Sequence, residues 1–232
     1  ADAHPCFWCW HDDSFDPGYE YLMVWSYEIR DTQTGVRLTP VFPSASTWGR
    51  VMNAVGQEKQ TTFELSDDVN AALCGPAMTV PWARTLVTLY SDGRVRDAQI
   101  ITDLDLDRDN KRLVVNHSPF RLIFTKRFPF GVPSYWFNES AHIPGTFTAT
   151  NLEYRSIIST ALTLGITNGF ASGALPLVVP PIVAGTHSVS IGNWNFQTVD
   201  KVMTDQQTTT GGPDVDFEPQ LNATTGNLEY LV

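Results

Sequence analysis

RTLVTLYSDGRVRDAQIITDLDLD (84–107) decides the fold class. A β-branched, apolar run leads to Ser91-Asp92-Gly93, and a second run, VRDAQIIT, follows it. Such residues fit a pleated, half-buried surface, and a Gly between two runs supplies the positive φ of a hairpin turn. The segment therefore predicts strand, turn, strand. Its continuation, TDLDLDRDNKRLVV (102–115), invites a calcium reading because Asp103, Asp105, Asp107 and Asp109 alternate. A calcium-binding EF-hand loop needs Gly at its sixth position and Glu at its twelfth. Counted from Asp103 those positions hold Arg108 and Val114, and counted from Asp105 they hold Asn110 and Asn116. The alternation with Ile101, Leu104 and Leu106 instead predicts a twisted strand with a solvated acidic face, a turn at Asp109-Asn110 and a return strand, RLVVN.

Working outward, the N-terminal side reads as further strands. YLMVWSYEI (21–29) is followed by the turn DTQTG (31–35) and by VRLTPVF (36–42). SASTWGRVMNAVG (44–56) is a connector, helical at most, and TTFELS (61–66) alternates as a half-buried strand should. On the C-terminal side, SPFRLIFTKRFPFGVPSYWF (118–137) reads as a strand or short helix leaving the first half. NLEYRSIISTALTLGITNG (151–169) is predicted to be a helix with Asn151 as its N-cap. After the proline-rich ALPLVVPPIVAG (174–185), HSVSIG (187–192) reads as a strand. NFQTVDKVMTDQQTTTGGP (195–213) reads as a helix with Phe196, Val199 and Met203 on one face, stopped by Gly211-Gly212-Pro213. DVDFEPQL (214–221) and NLEYLV (227–232) pair as strands across NATTG. The expected class is mostly β with some α, an all-β half followed by an α+β half.

At 232 residues, with 42% hydrophobic and 17% charged residues, the chain is long enough to bury a sizeable core. Thirteen Phe, seven Tyr and seven Trp are a heavy aromatic load, the kind that dominates cores and interfaces. A net charge of -10 argues against a general or sequence-specific nucleic-acid binder, which needs a basic face. No apolar run reaches the ~20 residues of a spanning helix, so no membrane integration is expected. The chain opens on Ala1 rather than Met, without a basic, cleavable leader, and a processed or shortened N-terminus is expected. Cys6, Cys9 and Cys74 are too few for a disulfide framework and fit a reducing cytoplasm.

Two of those cysteines lie in HPCFWCWH (4–11), where His4, Cys6, Cys9 and His11 are zinc-compatible ligands. Tetrahedral sites usually draw a pair from each of two separated segments, whereas this one would have to wrap the ion alone, stiffened by Pro5. A redox dithiol needs a helix N-terminus after it, but HDDSFDPGYE offers turn formers and carboxylates that raise a thiol pKa. No metal and no cofactor are therefore expected. The five histidines (4, 11, 117, 142 and 187) fall in different segments, and neither a G-x-S-x-G elbow nor a phosphate-cradling loop occurs. His117 is a candidate base or a turn cap, and carboxylate pairs of the glycosidase kind need geometry to be recognised. No catalytic residue is assigned and no enzyme is expected. Trp8, Trp10, Trp136 and Trp194 keep a carbohydrate-binding β module open as an alternative, and a cell-wall hydrolase domain is a further one.

Three ordered blocks carry a resemblance: Trp-Gly-Arg at 48–50, Arg-Thr-Leu-Val-x-Leu-Tyr-x-Asp-Gly at 84–93, and Gly-Gly-Pro-Asp-x-x-Phe-x-Pro at 211–219. With the strands between them, the chain from about 25 to 232 resembles the minor tail protein of siphophages infecting actinobacteria, the baseplate hub at the tail tip. It is also similar to the N-terminal hub region of tail-associated proteins. The resemblance implies an N-terminal arm (1–20), a small antiparallel β-barrel hub domain (21–130) and an α+β hub domain (131–232). Family members run on past the third block to complete a second barrel, so the last domain is expected to be incomplete at its C-terminus. The implied role is a structural virion protein, a homotrimer linking the tail tube to the tail tip and assembled in the host cytoplasm. Its implied partners are the distal tail protein, the tape measure protein and other minor tail proteins. In such a hub Phe7, Trp8 and Trp10 would bury against a neighbouring subunit, with Cys6 and Cys9 as small apolar fillers. An acidic balance would also suit a bore through which DNA passes without sticking.

Overall fold

The computed structural model describes residues 25–49, 51–65, 80–129, 146–167 and 175–232, the Trp194 side chain excepted. The arm expectations for His4, Cys6, Phe7, Trp8, Cys9, Trp10 and His11 lie outside these residues.

The Asp-Gly turn forms as read, with Gly93 at φ +80° and the Asp92 carboxylate accepting from the Arg94 backbone N–H at 3.0 Å. It joins β5 (Arg84–Leu89) to β6 (Val95–Asp107), the centre of a seven-stranded sheet. The other strands are β1 (Ser26–Asp31), β2 (Arg37–Val41), β3 (Ala45–Ser46), β4 (Lys59–Glu64) and β7 (Arg112–Pro119). Their order is β2-β1-β5-β6-β7-β4-β3, antiparallel throughout. The acidic alternation is indeed the outer half of β6. A one-residue bulge at Thr102 separates the pairs Ile101–His117 and Asp103–Asn116, which returns Leu104 to the face that Ile101 occupies.

Both faces of this sheet are used, which explains why β5 reads as a nearly continuous apolar run. Leu86 and Ile101 join Ile29, Val41, Phe63, Leu113 and Val115 on one face. Val87, Ala98 and Ile100 point to the other, into a larger core. There they meet Phe120 and Phe124, which lie on a 3-10 helix, Phe120–Thr125, that continues from β7. The same core takes in Phe147, Ile157, Ala161, Leu162, Val202, Met203, Phe217 and Tyr230, so residues on both sides of position 130 share one apolar interior. The sheet is open, with β2 and β3 as its outer strands, and no sheet closes into a barrel among the described residues.

The second half is α+β. β8 (Thr146–Leu152) pairs with β10 (His187–Gly192), and β11 (Glu218–Leu221) pairs with β12 (Leu228–Leu231), as NATTG predicts. A two-residue strand, β9 (Leu177–Val178), adds to β12 in parallel. Two helices, α1 (Tyr154–Thr167) and α2 (Val199–Gln207), pack on the larger core.

Two sequence expectations are corrected. Asn151 is not the N-cap of α1. It sits near the end of β8 at φ +55°, a left-handed conformation that Asn tolerates better than most residues, and the helix starts after Glu153, whose carbonyl accepts from the backbone N–H of Ile157. Phe196 is not on the stripe of α2. It lies at φ +49° outside that helix, which is capped by Thr198 accepting from the Lys201 backbone N–H at 3.2 Å.

Candidate functional site

The three blocks that carry the family resemblance are far apart in sequence, and the fold brings them to one region. The Gly49 backbone N–H donates to Asp97 Oδ2 at 2.9 Å, and Gln99 Nε2 donates both to the Gly49 carbonyl at 3.0 Å and to Asp97 Oδ2 at 2.8 Å. This ties the first block to the strand that follows the second. Asn53, a few residues on, reaches the third block. Its Oδ1 accepts from the Val215 backbone N–H at 2.8 Å and from Gln207 Nε2 at 2.6 Å, and its Nδ2 donates to Asp214 Oδ1 at 2.5 Å. Asn53 does so at φ +64°, the left-handed region that a short polar side chain tolerates.

The glycines of the third block have a local reason. A Cβ on Gly212 would lie 2.1 Å from the Gln206 carbonyl oxygen, so only glycine lets the chain fold back against the end of α2. The turn then delivers Phe217 into the core, where its ring stacks on Phe124 at 5.3 Å. Tyr230 stacks on Phe120 at 3.8 Å, and complete burial pushes its phenol far above the ordinary tyrosine range.

At the surface beside this junction, Trp25 lies 5.2 Å from Trp48 and 4.9 Å from Tyr90 between ring centroids. The Arg96 guanidinium sits 4.6 Å over the Trp48 ring, and that of Arg94 lies 5.4 Å over Tyr90 while pairing with Asp92 at 2.7 Å. Between this hairpin and β11 runs an open groove of about 510 Å³, lined by Tyr90, Arg94, Arg96, Glu218 and Gln220. Nearby in sequence, Val51 and Met52 are 50% and 58% exposed, and Phe42 beside edge strand β2 is 78% exposed. Aromatic rings, guanidinium groups and free apolar side chains are what protein interfaces use.

His117 is neither a turn cap nor an accessible base. It lies within β7 at 1% exposure. Its Nε2 is 2.9 Å from Thr61 Oγ1 and its Nδ1 is 2.8 Å from Gln99 Oε1. Because the amide nitrogen of Gln99 is committed to Gly49 and Asp97, Gln99 Oε1 accepts, and the imidazole carries its proton on Nδ1. Burial, and then the charge of Lys59, holds the imidazole down at about 4, so it is neutral at pH 7. Of the other histidines, His187 stacks on Tyr154 at 3.7 Å at the mouth of an open groove of about 590 Å³ that also holds the exposed Glu153–Arg155 pair. Among the described residues no group of three or more His, Cys, Asp or Glu is placed to hold a metal ion. No described helix is long and apolar enough to cross a membrane. Trp8, Trp10, Trp136 and His142 lie outside the described residues, and Trp194 falls in a 3-10 turn, Asn193–Asn195. Sequence reasoning missed Asn53, whose partners are more than 150 residues away. The one signal for it was an Asn in a connector rich in turn formers.

No protein-family model and no curated protein matches the sequence. Among solved structures, the chain is similar to the 43 kDa tail protein of prophage MuSo2 from Shewanella oneidensis, at 11% identity and a TM-score of 0.35. The match covers 90% of this chain and 48% of that one, so the chain spans about half the length of the protein it resembles.

Proposed function

We propose that the chain is a structural protein of a bacteriophage tail, acting at the baseplate hub where the tail tube meets the tail tip, without enzymatic activity of its own. The observation that carries this reading is the convergence of the three resemblance blocks through Gly49, Asn53 and Asp97 beside the half-buried Trp25, Trp48 and Tyr90 and the exposed Arg94. Such a surface serves contact with other proteins rather than bond-making. On this reading three copies form a ring, and the distal tail protein, the tape measure protein and other minor tail proteins are the neighbours. Antibody labelling of phage particles that carry the protein tests the location. Label at the distal end of the tail is expected, and label confined to the capsid or absent from intact virions would overturn the proposal.

A further inference from the structure

Arg121 stands on the 3-10 helix Phe120–Thr125, and its side chain is only 4% exposed. A cation set between the core aromatics Phe120 and Phe124 needs partners for its nitrogens inside the protein. One edge of the guanidinium is filled by α2. Nε donates to Asp200 Oδ1 at 2.6 Å, and Nη2 donates to Thr204 Oγ1 at 3.0 Å and to Gln207 Oε1 at 3.1 Å. Gln207 passes the link on, its Nε2 donating to Asn53 Oδ1. Nη1 is different. It is buried, and no group among the described residues accepts from it.

Arg121 also lines a small cavity, about 20 Å³, together with Val51 and Ala54 of the connector, Asp97, and Val215 and Asp216 of the third block. None of Asp200, Thr204 and Gln207 lines it, so the cavity lies off the guanidinium edge that α2 fills. Its volume is room for one water molecule. Charge narrows the choice of occupant in the same direction. Arg121 repels a cation, and an anion would sit beside two carboxylates. Asp97 and Asp216 already accept from the Ala98 and Phe217 backbone N–H groups, each at 2.9 Å. A neutral molecule with both a lone pair and protons suits such walls: its oxygen accepts from Nη1, and its protons turn to the acidic side.

We propose that this cavity is a binding site for one ordered water molecule, held by Arg121 Nη1 where the 3-10 helix, the connector and the third block meet. The site is independent of what the chain assembles with. A high-resolution crystal structure of the full chain, collected with and without a bromide soak, tests it. Density for a single oxygen is expected at about 2.7–3.2 Å from Nη1, with no anomalous signal after the soak. An anomalous peak at that position would make it a halide site and overturn the proposal. So would a map without density there, or one in which Nη1 bonds a protein carboxylate directly. In Arg121→Met the density is expected to vanish, and density that stays would show that Nη1 does not hold it. Should Arg121→Met fail to fold, the wild-type maps decide alone.

Discussion

Replacing Asn53 by Ala should loosen the junction between the connector and the 211–219 block. The substitution removes three side-chain hydrogen bonds, to Val215, Gln207 and Asp214. A net hydrogen bond is worth about 0.5–1.5 kcal/mol, and two of these three are solvent-exposed, so the low end applies to them. The Val215 N–H is part-buried and loses its side-chain acceptor, which puts its loss nearer 1 kcal/mol. Alanine at φ +64° adds about 1 kcal/mol of backbone strain. The total is about 2–3 kcal/mol, or about 5–10 °C in Tm for a chain of this size. Urea denaturation followed by tryptophan fluorescence, with m-values compared, measures it. Asn53→Gly separates the two contributions, since it removes the bonds but accepts the positive φ, and it should keep about half or more of the loss. If Asn53→Gly is as stable as wild type, the side-chain bridge contributes nothing and the reasoning fails.

Other positions test the same interior. Gly35→Ala should cost at least about 2 kcal/mol by calorimetry, because its Cβ would meet the Leu228 carbonyl oxygen at 2.0 Å and its φ is +69°. The β1–β2 turn rests there on β12, with the Leu228 N–H donating to the Gly35 carbonyl at 2.9 Å. Phe124→Ala, at 0% exposure and stacked on Phe217, should cost about 3–5 kcal/mol and lower one cooperative transition rather than split it in two. Two separated transitions would mean that the halves do not share a core.

The parts of the fold written in local chemistry were legible. The Asp92-Gly93 hairpin, the acidic outer half of β6 and the β11–β12 pair across NATTG all follow from turn residues and alternation, which act over a few positions. The misplaced helix starts have a common cause. Asn151 and Phe196 each occupy a left-handed conformation just before a helix, and nothing in periodicity distinguishes such a residue from a cap or from the first apolar position of a stripe. The long-range features were not legible. His117 reads as a strand end until Gln99 and Thr61 are placed around it, and Asn53 reads as loop until α2 and the third block fold over it. The alternation of Leu86 with Val87 shows that both faces of the sheet are buried, but not which distant residues cover them.

The measurement that tests the assembly claim most directly is native mass spectrometry of the purified chain across a range of concentrations. The hub reading predicts a dominant species at three times the 25.8 kDa chain mass, with the monomer only on dilution. A chain that stays monomeric at every concentration, or that assembles only as dimers, would contradict it.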